Sequence, residues 1–282
     1  MIGEMHERTF CIRGSVVLVF SVLRAAKFFL MQAVCCVPVS PMRVAPMHKG
    51  EMVSQLLFGE MVTVIEKGEE HWVKVQCHYD QYEGWVTRNH LADAAFQATL
   101  HHITADWSND ILFNDQPMHL SFGSDLRGLV NGRAEWGRFN WIFKGNHIDP
   151  QQNRKTEKNI LKIANLFINT PYLWGGRSVF GIDCSGFTQL VYKAFGIPIL
   201  RDAYQQATQG EVIGFLQESK LGDLAFFDNA EGKITHVGIL LNDHEIIHSS
   251  GKVRIDKIDS QGIVNVDTNE RTHTLRLIKR YF

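Results

Sequence analysis

Residues Pro171-Tyr-Leu-Trp-Gly-Gly-Arg-Ser-Val-Phe-Gly-Ile-Asp-Cys-Ser-Gly-Phe187 decide how the rest of the chain is read. A glycine-rich turn runs into a cysteine. Apolar residues then recur at Phe187, Leu190, Val191 and Ala194, the i, i+3, i+4, i+7 spacing of one helix face. Gly196 and Pro198 follow in the order that stops a helix. Cys184 is therefore expected at a helix N-terminus, where free N–H groups and the positive dipole end lower a thiol pKa and offer donors to an oxyanion. A buried, inert cysteine is the plain alternative. The polar neighbours Asp183, Ser185 and Gly186 count against it.

A thiol nucleophile needs a base. His236 opens an apolar run, His236-Val-Gly-Ile-Leu-Leu241, and His248 ends the next one, Glu245-Ile-Ile-His248. A three-residue loop, Asn242-Asp243-His244, sets Gly238 opposite His248. His236 then lies diagonally beside His248 on the same sheet face. A two-residue loop would put the histidines on opposite faces. Two unrelated surface histidines are the competing reading.

Outward from this centre, Ile160, Ile163, Ala164, Phe167 and Ile168 recur at helical spacing and end before Pro171. Further strands are expected at 223–227 and 275–278. The polar run 148–158 marks a domain boundary. Before it, residues 34–95 read as short strands rich in Val, Ile, Thr and Trp, punctuated by Gly59, Gly68 and Gly84, the pattern of a small barrel or sandwich. Residues 96–150 set Trp107, Trp136, Trp141 and Phe143 among glycines, with strands expected at 111–113 and 141–143. A second, divergent barrel and a β-rich connector both fit.

The chain has 282 residues, 29 Lys+Arg against 30 Asp+Glu, and 45% hydrophobic content, which describes a folded globular protein. No basic stripe suits a nucleic-acid partner. No apolar run reaches the ~18–20 residues that span a bilayer, so stable membrane insertion is not expected. Five cysteines without regular spacing make neither a disulfide framework nor a zinc site, and neither metal nor cofactor is expected. The apolar stretch 15–23, preceded by Arg8 and Arg13, resembles part of a secretory signal, but Arg24 and Lys27 interrupt it. Residues 1–33 are read as an extension or leader, with Met31 as an alternative start.

Residues 157–282 resemble the NlpC-type papain-like cysteine peptidases that cut bacterial cell-wall peptides. The matching text is Tyr172-x-Trp174-Gly175-Gly176, Asp183-Cys184-Ser185-Gly186-Phe187, Gly222-Asp223-Leu224-Ala225-Phe226-Phe227, His236-Val237-Gly238-Ile239 and Ile247-His248-Ser249-Ser250-Gly251. The run 62–75, closing on Tyr82-Glu83-Gly84-Trp85-Val86, resembles the bacterial SH3-like domain found beside cell-wall hydrolases. The expected fold is α+β: a papain-like domain at 151–282, a helix on an antiparallel sheet, preceded by one or two small SH3-like β-barrels at 34–95 and 96–150. The resemblance implies Cys184 as nucleophile, His236 as base and His248 as orienting residue. It also implies that Tyr172 places the nucleophile or stabilises the oxyanion. Members typically hydrolyse the bond between γ-D-glutamyl and a diamino acid, and those with SH3-like domains act on small peptides whose L-Ala amine is free. A free ammonium removed from water must be paired. Asp183 and Ser185 are candidates for that contact, with Glu60 brought by the barrel and Tyr82 or Trp85 as an adjacent wall. Arg201 and Asp202 either line the cleft or form a salt bridge at a helix entry.

A cell-wall amidase or acyltransferase on the same scaffold stays open as an alternative, because the bond attacked is not encoded in the triad. So does a non-catalytic wall-binding protein, which the full Cys184, His236, His248 set counts against. A monomer acting on peptidoglycan-derived peptides in the cytoplasm is expected, with export as the alternative if residues 1–30 are a signal.

Overall fold

The computed structural model describes residues 31–93 and 102–282. Residues 1–30, read above as an extension or leader and including the apolar stretch 15–23, lie outside the described residues.

Seven antiparallel strands form the first unit. Their order across the sheet is Met52–Leu57, Val39–Arg43, Glu83–Thr87, Trp72–Cys77, Met61–Lys67, Met31–Cys35 and Leu91–Asp93. Val73, Val75 and Cys77 alternate with the less buried Lys74 and Gln76, so one face points to a core that also holds Ala33, Leu56, Val62 and Val86. The first strand starts at Met31, so the boundary expected at residue 33 falls inside it.

The second unit is a four-stranded sheet in the order Gln116–Ser121, Ser108–Phe113, Phe139–Phe143, Arg133–Trp136. A two-stranded pair, Ile103–Thr104 with His147–Ile148, accompanies it. Four strands alone give little cover for two tryptophans. The first unit supplies it: the Phe58 ring lies 4.7 Å from Trp136 and 5.5 Å from Trp141. The two β units therefore share one apolar core, which also includes Val34, Met61 and Leu120.

The third unit carries three helices: α1 (Glu157–Asn165), α2 (Cys184–Lys193) and α3 (Ala203–Gln206). The Thr156 side chain caps α1 and the Asp183 side chain caps α2, each accepting from a first-turn backbone N–H. Helices α1 and α2 bury Ile160, Ile163, Phe187, Leu190 and Val191 against Phe226, Val237, Ile239, Ile247 and Val253 of the sheet. The sheet runs Glu211–Ile213, Arg271–Arg280, Leu224–Asp228, Ile234–Leu240, Glu245–Ser250, Lys252–Asp259, Gly262–Val264. Gly262–Val264 also pairs with Arg271–Arg280, so six of these strands close on themselves. Ala225, Phe227, Leu240, Ile246, Ile258, Ile263 and Ile278 form the second cluster of this unit, away from α1 and α2. Among the described residues no helix is long and apolar enough to cross a membrane.

Candidate active site

Cys184 is the first residue of α2, and the turn before it is held from the barrel side. Gly175 takes φ +73°, and a Cβ there would sit 2.5 Å from the Met52 carbonyl oxygen, so the strand Met52–Leu57 leaves room for glycine alone. The Gly175 N–H donates to Asp183 Oδ2 (2.9 Å), and the Gly186 N–H to Asp183 Oδ1 (2.7 Å). Asp183 thus staples the glycine turn to the helix start and fixes where the thiol emerges.

The expected hairpin register is present. Gly238 pairs with His248, Ile239 with Ile247 and Leu240 with Ile246, and the Leu241 N–H donates to the Glu245 carbonyl. His236 Nε2 lies 2.8 Å from His248 Nδ1. A Cβ on Gly238 would meet His248 Cβ at 2.8 Å, so this glycine permits the approach. The chain of contacts goes on: His248 Nε2 lies 2.9 Å from Asp256 Oδ2. A third ring, His273, stacks on His236 with centroids 4.1 Å apart and planes 27° apart. Asp256 and His273 were not found by sequence reading. Asp256 sits on Lys252–Asp259, where His248 faces Arg254 and Asp256 is the diagonal neighbour. The pairing that joins His236 to His248 reaches Asp256 only once the register of that strand is known, since its apolar residues do not mark the face Asp256 lies on.

A cleft of about 440 Å³ opens at the thiol. Tyr172, Trp174, Asp183, Cys184 and Ser185 line it from the α2 side. Val53 and Tyr82 line it from the barrel, and Asp202 and Tyr204 from the start of α3. Two expected substrate contacts fall elsewhere. Glu60 is buried and does not reach the cleft. Its oxygens receive Arg177 Nη1 (3.0 Å), Arg177 Nη2 (3.1 Å), Lys193 Nζ (2.8 Å) and the Leu57 N–H (3.0 Å). Burial pushes its pKa up, but Arg177 and Lys193 outweigh that and hold it below the ordinary glutamate value. Trp85 is also outside: it covers Gly68 within the barrel, where an added Cβ would lie 2.8 Å from its ring. Asp183 lines the cleft with its charge already paired, since Arg201 donates to Oδ1 (3.0 Å) and Oδ2 (2.6 Å). The same guanidinium reaches Ser185 Oγ (2.8 Å) and, through Nε, Ser54 Oγ of the barrel (3.0 Å). Arg201 is therefore a buried strut, whereas Asp202 faces the cleft with the Tyr82 hydroxyl 3.4 Å from its Oδ1. Burial raises the Asp202 pKa, Asp183 adds to that, and Arg201 and the tyrosine hydroxyls oppose it.

The electrostatics of the thiol differ from expectation. Burial, then the Asp183 charge, pushes the Cys184 thiol up to about 12, outweighing the backbone donors at the helix start. Burial, then His248 and His273, holds His236 well below the ordinary histidine value. Thiol and imidazole are both neutral before substrate arrives. Burial also raises the Tyr172 phenol, so it stays protonated and remains a donor.

Comparison with known proteins places this site in context. The NlpC/P60 family model matches residues 169–271, and that of the bacterial dipeptidyl-peptidase SH3 domain matches residues 42–91. A γ-D-glutamyl-L-lysine dipeptidyl-peptidase of Bacillus subtilis is 33% identical over 70% of this chain and 71% of its own length. One from Bacillus cereus is 29% identical over 72% and 68%. The crystal structure of an NlpC/P60 family protein from Bacillus cereus has a TM-score of 0.75 at 23% identity, covering 89% of this chain and 99% of that one, and so shares the fold. The chain carrying Cys184, His236 and His248 on this scaffold belongs to the NlpC/P60 family.

Proposed function

We propose that this cysteine peptidase hydrolyses the γ-D-glutamyl–diamino acid bond of small peptidoglycan peptides that carry a free N-terminal L-Ala. Cys184 Sγ attacks the γ-carbonyl of D-Glu while His236 accepts the thiol proton. The Tyr172 hydroxyl and the α2 backbone N–H groups receive the oxyanion. His236 passes its proton to the leaving amine, and water then releases L-Ala-γ-D-Glu from the thioester. The relatives named γ-D-glutamyl-L-lysine dipeptidyl-peptidases support the bond assignment.

One observation carries the amine reading. Asp202 is a carboxylate facing the thiol's own cleft, with the Tyr82 hydroxyl 3.4 Å from its Oδ1 and its pKa raised by burial. An incoming ammonium relieves that cost, and Tyr82 completes the contact. Asp202 thus takes the role that the sequence suggested for Asp183 and Glu60. A peptide still attached to glycan has its L-Ala nitrogen in an amide and offers no cation. The test compares L-Ala-γ-D-Glu-diamino acid with its N-acetylated form. A kcat/KM ratio of ~10²-fold or more is expected, and Asp202→Asn should shrink it, mainly by raising KM for the free peptide. Equal rates on the two peptides would show that the amine is not read.

A further inference from the structure

We infer that Asp256 is a positioning residue that fixes the tautomers of both histidines, so that the unprotonated His236 Nδ1 faces the thiol. This rests on the reading of Cys184 and His236 as the reacting pair.

Each hydrogen bond in the chain carries one proton. Asp256 is buried at 2% exposure. Its Oδ1 receives Arg254 Nη2 and the Val266 N–H, each at 2.9 Å, and its Oδ2 lies 2.8 Å from Arg254 Nε. Arg254 is itself tied to Asp267 Oδ2 (2.8 Å). Burial pushes the Asp256 pKa up, but the bonds from His248, Val266 and Arg254 bring it down to about 2. The carboxylate is therefore ionised and accepts only, so the proton between it and His248 belongs to His248 Nε2. With the ring's one N–H at Nε2, His248 Nδ1 is the acceptor. The bond to His236 requires a proton on His236 Nε2, which leaves His236 Nδ1 as the free lone pair. His248 bridges the base and a fixed negative charge, and His273 stacks on His236. When His236 takes the thiol proton, the positive charge lies two hydrogen bonds away from the Asp256 carboxylate, with His248 between them.

Asp256→Asn tests this without changing shape. In the variant the amide NH2 is disfavoured at Oδ1, which accepts hydrogen bonds from both Arg254 Nη2 and the Val266 N–H, whereas at Oδ2 His248 makes the hydrogen bond and the nearby Arg254 Nε makes none. It therefore faces His248, and that forces His248 to accept on Nε2 and carry its proton on Nδ1. His236 then accepts on Nε2 and presents Nδ1–H to the thiol, so no base is available. A kcat loss of up to about 10⁴-fold is expected with KM little changed, as when an orienting aspartate is neutralised in a hydrolase triad. Side-chain ¹⁵N spectra should show His236 and His248 as Nε2–H in the parent protein, a measurement that needs no variant. In Asp256→Asn they should show both as Nδ1–H. A merely structural Asp256 would lower stability and leave these tautomers unchanged. Parent spectra showing His248 protonated on Nδ1, or a folded Asp256→Asn with parental kcat, would overturn the inference. Parent enzyme without peptidase activity, or an equally active Cys184→Ala, would instead strike the proposed function.

Discussion

At the residue scale the decisive balance is between burial and the helix start at Cys184. The helix N-terminus offers the thiolate a partial positive charge worth at most ~2 kcal/mol. Desolvation and the neighbouring Asp183 act the other way and win, so the thiol rests protonated beside a neutral His236. This sets the pH dependence. His236 is depressed, so it stays neutral as pH falls through the ordinary histidine value near 6.5, and the acid limb of kcat/KM lies below that value. The thiol, pushed up to about 12, does not ionise on the alkaline side, and a plateau from about pH 7 to 9 is expected. The same depression has a stability sign. Below about pH 6.5 the unfolded chain binds a proton that folded His236 does not, so His236 disfavours the folded state increasingly as pH falls toward its folded pKa. A pH profile of kcat/KM, paired with iodoacetamide alkylation of the free enzyme, checks this. Alkylation should be slower than that of free cysteine at neutral pH. A bell with its acid limb above about pH 6.5, or fast alkylation, would indicate a resting thiolate–imidazolium pair instead.

At the scale of elements, much of the site was legible because local rules fixed it. The three-residue loop 242–244 set the hairpin register, and period-2 alternation then placed His236 and His248 together. The helix starting at Cys184 followed from its apolar stripe and its Gly196 stop. The strand Lys252–Asp259 resisted the same treatment. Its apolar residues suggest that Val253 and Ile255 face inward, which would leave Asp256 outside beside Arg254. The sheet is covered on both faces, so Val253 is buried towards the helices while Asp256 and Ile258 are buried on the opposite side. Alternation cannot identify an inner face where there are two. His273 was hidden similarly, since its stacking partner His236 pairs with Phe227 on an intervening strand.

At the scale of the whole molecule, Glu60 shows what a sequence cannot report. A glutamate after Gly59 reads as a turn residue or a reaching ligand, and its true partners are 117 and 133 residues away. Lys193 also pairs with Asp125 of the second β unit (2.8 Å), so one buried ionic cluster joins all three units. Arg177 also donates to the Gln55 carbonyl (2.7 Å), so the cluster grips the edge strand that brings Val53 to the cleft. Glu60→Ala leaves Arg177 and Lys193 buried without their shared acid, and a stability loss of about 3–5 kcal/mol is expected by urea unfolding. A variant as stable as the parent but with a raised KM for the free peptide would return Glu60 to the substrate site.

The central claim concerns which bond breaks and which atom attacks it. Mass spectrometry of a digest of L-Ala-γ-D-Glu-diamino acid peptide, run with parent protein and with Cys184→Ala, tests both together. The expected result is L-Ala-γ-D-Glu and the free diamino acid from the parent, and intact peptide from a folded Cys184→Ala. Cleavage at any other bond, or the same products from Cys184→Ala, would contradict it.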